Sequence, residues 1–205
     1  MDFEQLLLRI LLSSIIFFRR VIRLLISPYK TMRAVAKDND IVQLVFILVS
    51  IGGYFYIADK LRQYEYRPLL LFGLTIINFL LTAGFFMLLR MIVKNETCIK
   101  IKPVLLLFGY SLIPTLLWFS FNSLLYYFLP PPRTISILGK GFSIVYISFS
   151  IGVLLWKILV MYLAVRFATR FTFFRIVYSM LIYIACVIPY AFFLYSLRLF
   201  RIPFL

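Results

Sequence analysis

Lys157 is the one charged side chain set well inside a long apolar run, residues 141–165, and any chemistry within that run would have to start from it. A lysine in such a place could act as the base of a serine–lysine dyad, since Ser148 and Ser150 share its run. It could equally meet a lipid phosphate or another anionic solute as a cation. The chain offers the first role little support. It has no histidine, and no Asp or Glu falls within any of its five long apolar runs. A Ser-His-Asp arrangement is therefore impossible, and the paired carboxylates of hydrolysis are missing from the same runs. Proton-coupled carriers and pumps keep carboxylates or histidines in the membrane, so the composition also speaks against an ion-coupled carrier. Cys98 and Cys186 are too few for a disulfide framework and too far apart for a zinc knuckle. The expectation is a protein that is not an enzyme and uses no metal and no cofactor.

Two asparagines, Asn78 and Asn122, could line a polar crevice with Lys157, forming an intramembrane polar site. Each could instead make an interhelical hydrogen bond of about 0.6 kcal/mol. Lys157 stands nine residues before Arg166, about 13 Å along a helix, so its stem could also snorkel toward the headgroups. A further feature is GYSLIP at 109–114, which places Gly109, Tyr110 and Pro114 inside another apolar run. Pro114 cannot donate to its helix and frees a carbonyl one turn earlier, which predicts a structural kink. Gly52, Gly53, Gly73, Gly84 and Gly152 read as points of close helix contact. Tyr54, Tyr56, Tyr126 and Tyr127 read as residues of the interfacial aromatic belt.

The elements that must hold these side chains follow from the apolar runs. Of 205 residues, 64% are apolar and 14% charged, against about half and a quarter in a soluble domain. One water-soluble core of this size cannot bury that excess. Uncharged runs of about 18 residues or more are long enough to cross a roughly 30 Å hydrocarbon layer as helices. They occupy 41–58, 68–89, 103–129, 141–165 and 176–197, the fourth interrupted only by Lys157. Lipid gives an unpaired backbone group no partner, so these runs must be helices, and the ten-residue alternation of a barrel is absent. The third run, as one straight helix, would be about 40 Å long, an excess that a kink or a tilt would absorb. The loops at 59–67, 90–102, 130–140 and 166–175 are too short for a folded domain. The fold expected is an all-α integral membrane protein. Residues 27–205 form one bundle of five transmembrane helices, preceded over residues 1–26 by an amphipathic helix in the membrane interface.

Within residues 1–26, Arg9, Arg19, Arg20 and Arg23 fall on an arc of about 100° of a helical wheel, and Leu, Ile, Val and Phe fill most of the rest. That pattern fits a helix lying in the headgroup plane, with the four arginines as lipid-binding residues. The acidic start MDFEQ and the lack of a small-residue cleavage site speak against a signal peptide. The longest uncharged run there, 10–18, is too short for a sixth span. Lys and Arg outside the spans divide fourteen to seven between the two sides of the bundle. The positive-inside rule then puts the N-terminus in the cytoplasm and the C-terminus outside. The net charge of +15 is spread over every loop. It therefore points to anionic phospholipid headgroups as partner and not to nucleic acid.

Three stretches carry a resemblance. SPYKTMRAVAKDND at 27–40 stands just before the first span, GYSLIP at 109–114 lies in the third, and LLWKILVMYLAVRFATRFTFFRIVY covers 154–178. With a basic N-terminal segment and five clustered spans, they resemble the Yip-type domain of the Ypt-interacting-protein (YIP) family over roughly residues 27–198. The unit Gly109, Tyr110 and Pro114 carries most of the likeness. Eukaryotic members are Golgi and endoplasmic-reticulum proteins tied to vesicle traffic and Rab-type GTPases, with a long hydrophilic N-terminus bearing an acidic, tyrosine-containing motif. The corresponding region here is short, basic and without that motif. The resemblance therefore implies a prokaryotic-like member in the cytoplasmic membrane. The expected function is to organise or remodel membrane lipid, or to scaffold a second copy or another membrane protein. The alternative is a small permease or lipid translocator built on Lys157 and the kinked third span.

Overall fold

Backbone groups in hydrocarbon have no water to pair with, and each long apolar run of the chain meets that constraint as a helix. In the computed structural model the described residues are 3–38, 40–61, 67–94, 100–128 and 137–197. Among them are α1 (Phe3–Ile26), α2 (Pro28–Val35), α3 (Val42–Leu61), α4 (Pro68–Lys94), α5 (Ile101–Tyr110), α6 (Ile113–Phe128), α7 (Ile137–Thr169) and α8 (Phe173–Ser196), and no strand. Five stretches are long and apolar enough to cross a membrane: Val42–Lys60, Pro68–Val93, Ile101–Leu125, Lys140–Thr169 and Phe173–Ser196. The arginines of α1 keep it out of that set. Cys98, the proline triplet at 130–132, Leu129 and the tail from Arg198 lie outside the described residues, as does the side chain of Tyr126.

Helix ends differ from the ends of the apolar runs, because a charge closes an uncharged run without stopping a helix. Thus α4 continues past Arg90 to Lys94, and α7 begins at Ile137 and runs to Thr169. After α7 the chain reverses through Arg170, whose φ of 55° is left-handed and whose N–H closes on the Arg166 carbonyl at 2.9 Å. Such a residue just past a helix end satisfies a carbonyl that would otherwise be orphaned. Arg90 Nη1 adds a bond of 2.6 Å to the Ala168 carbonyl, tying α4 to the carbonyl end of α7, where positive charge is favoured.

The third span is two helices. Its turn at Ser111 and Leu112 separates α5 from α6, with Pro114 second in α6. Proline fits the first turn of a helix, where its missing N–H would have no intrahelical acceptor in any case. This broken span is also the central one. It is 67% buried, whereas no other span exceeds 39%. Phe108 and Tyr110 of α5 sit at 1% and 0% exposure beside Phe86 of α4, Ile47 of α3 and Met32 of α2. Helix α2 lies within 27–40, the stretch just before the first span that carried part of the resemblance and for which no separate helix was expected. It starts on a Ser27–Pro28 pair and packs Met32 and Val35 into the core.

Candidate functional site

Two groups of polar side chains stand out inside this apolar frame. The first joins α1 to the central span. Gln43, one residue into α3, is completely buried, so each of its amide atoms needs a partner. Its Oε1 accepts from Arg20 Nη1 at 2.7 Å and from the Tyr110 hydroxyl at 2.8 Å. Its Nε2 donates to Asp38 at 3.2 Å and to Asp40 at 3.4 Å. Arg20 also pairs with Asp38 Oδ2 at 2.6 Å, and Ser13 donates to Asp40. Asp40 Oδ1 accepts the N–H of Val42 at the start of α3, as a capping carboxylate does. Burial alone would push the Asp38 carboxyl up. Hydrogen bonds from Arg20, the Asp40 N–H and Gln43, with the Arg20 charge, hold it below the ordinary value of 3.8.

Of the four arginines assigned to lipid, Arg20 is thus turned into the bundle, while Arg9, Arg19 and Arg23 are exposed. Sequence reasoning passed over Gln43, Asp38 and Asp40. A glutamine inside an apolar run was the available signal, because a polar group there must find a partner.

The same end of the bundle explains two residues of GYSLIP. Tyr110 is a buried partner of Gln43. A Cβ on Gly109 would stand 2.6 Å from Leu44 Cδ1 and 3.4 Å from Ile47 Cδ1, so the absence of a side chain there makes room for the ends of these two α3 side chains. The other glycines need correction. A Cβ on Gly53, Gly73, Gly84 or Gly152 would meet nothing within 4 Å, and one on Gly52 would make ordinary contact with Phe72 at 3.4 Å. These glycines do not mark tight helix crossings. Tyr54 is not a belt residue either. Its ring stacks on Phe119 at 5.5 Å and its hydroxyl bonds Ser123 at 3.0 Å, whereas Tyr56 and Tyr127 are exposed.

The second group lies between α6 and α7. Lys157 Nζ is buried and has no hydrogen-bond partner among the described residues. It lines a cavity of about 20 Å³ with Thr115, Trp118, Ser150, Val153 and Leu154. Neither asparagine lines it. Asn78 accepts from Tyr190 at 2.9 Å across α4 and α8, beside a 2.7 Å bond between Thr82 and Tyr183. It therefore serves as an interhelical hydrogen-bonding residue away from Lys157. Asn122 lies on α6 one turn beyond Trp118, buried, with neither side-chain atom paired among the described residues. The chain matches no protein-family model, no curated protein and no solved structure.

Proposed function

We propose that the protein is a non-enzymatic, multi-pass membrane protein of the Yip type that gathers anionic lipid around one end of its bundle. In this reading α1 lies in the headgroup plane on the cytoplasmic side of a prokaryotic cytoplasmic membrane. The observation that carries it is the division of α1 into three faces. One face, with Ser13, Phe17, Arg20 and Leu24, is held against the bundle. On the far side Leu7, Leu11, Ile15, Phe18, Ile22 and Leu25 are exposed. Arg9, Arg19 and Arg23 lie between the two within an arc of about 80°, with exposed Leu12 and Ile16 interleaved. A helix that offers one face to protein, one to acyl chains and one to phosphates suits the membrane interface and no other solvent.

Three cations near an anionic surface contribute roughly 1 kcal/mol each, screened by salt. Spin-labelled anionic and zwitterionic lipids can be compared at the boundary of the reconstituted protein. The parent should prefer the anionic lipid at low salt. Replacing Arg9, Arg19 and Arg23 together by Gln should weaken that preference by up to about 3 kcal/mol, with the melting temperature held. An equal preference in parent and variant would remove the lipid role of α1.

A further inference from the structure

We propose that the cavity between α6 and α7 is a binding site for a single halide-sized anion, held by Lys157 with the hydroxyls of Thr115 and Ser150. This proposal is independent of the lipid role of α1. Lys157 Nζ supplies up to three donors and no acceptor, and it is buried without a protein partner among the described residues. The ion pairs there, Arg9 with Asp40 and Arg20 with Asp38, both belong to the α1 end of the bundle. A cation buried without a counter-charge is costly, so an anion at Nζ satisfies what the helices leave open.

The hydroxyls agree with that sign. Seven other helical Ser and Thr side chains bond the carbonyl four residues before them: Thr31, Ser50, Thr75, Thr82, Ser120, Thr169 and Ser179. Thr115 does not, and its buried oxygen has no partner among the described residues. Four residues before it stands Ser111, in the turn that interrupts the third span. The break thus coincides with a threonine whose proton is free to face the cavity. Ser150 Oγ accepts from Trp118 Nε1 at 3.1 Å, which leaves its own proton to donate. Lys157, Thr115 and Ser150 can therefore each present hydrogen to the same space.

Size selects the ligand. A cavity near 20 Å³ holds about one water-sized sphere. A monatomic anion can seat in that space, whereas a phosphate diester would have to leave its two substituents outside it. The depth of Lys157, about 13 Å from Arg166 along α7, also sets it apart from the headgroups.

The test uses the full chain in detergent, with Trp156→Phe to leave Trp118 as the remaining tryptophan. Iodide should quench Trp118 saturably. Chloride should compete, and dimethyl phosphate at equal ionic strength should not. Lys157→Met should weaken the saturable component at least tenfold, and the near-isosteric Thr115→Val several-fold. Both variants should melt no lower than the parent, since each removes an unpaired buried polar group. Quenching that rises linearly with iodide, or is unchanged in Lys157→Met, would overturn the proposal. Competition by dimethyl phosphate as strong as by chloride would overturn the halide assignment.

Discussion

Asp38 shows how a single side chain is set by its neighbours in this protein. Its carboxyl is held below 3.8 because Arg20, Gln43 and a backbone N–H all favour the charged form. A carboxylate lowered in the folded state contributes stability above its unfolded value, and that contribution is lost as pH falls through the folded value. The melting temperature in detergent should therefore drop as pH is taken from about 6 to below 3.8, and less steeply in Asp38→Asn. Equal slopes would mean that Asp38 does not couple α1 to α3. At this scale the sequence was only partly legible. The odd residues were visible, Lys157 among them, because charge inside an apolar run is rare. Their partners were not. Nothing in the spacing of Arg20 separates it from Arg19 and Arg23 as the arginine that meets Asp38, and nothing local places Asn78 beside Tyr190.

The helices themselves were legible from run length, since crossing hydrocarbon demands about 20 apolar residues. Pro114 was read as a kink within the third span, and it stands second in α6, just after the turn at Ser111 and Leu112; Ser27 with Pro28 carried a start signal for α2 that its short, charged length obscured. The central place of the third span was hidden, because side chains facing lipid and side chains facing protein are equally apolar. That place gives the two in-span prolines opposite roles. Pro114 is buried at a break whose two halves share α3 and α7 as neighbours, while α5 packs in addition on α2 and α4. Pro189 is exposed in the interior of α8. Pro114→Ala favours a continuous helix and should misplace one half, costing about 1–3 kcal/mol, or about 2–4 °C of melting temperature per kcal/mol. Pro189→Ala restores a helix hydrogen bond at a lipid-facing position and should leave melting unchanged or raise it. Equal losses at the two positions would contradict the central, broken third span.

The molecule as a whole has five helical stretches long and apolar enough to cross a membrane, and in the proposed arrangement α1 lies flat at one end of them. Assigned by the expected spans, the Lys and Arg between and beyond them divide fourteen to seven in favour of the side that holds the N-terminus, and the proposed cytoplasmic placement of α1 rests on that division. The direct measurement is labelling of single cysteines from outside intact cells with a membrane-impermeant thiol reagent. Cys98 and Cys186 are replaced by serine, and one cysteine is placed in turn at Gln5, Lys37 or Leu197. The account predicts that Leu197→Cys reacts at once, while Gln5→Cys and Lys37→Cys react only after permeabilisation. Gln5→Cys and Lys37→Cys reacting from opposite sides would mean that α1 crosses the membrane, and Lys37→Cys reacting from the same side as Leu197→Cys would contradict the five crossings between them.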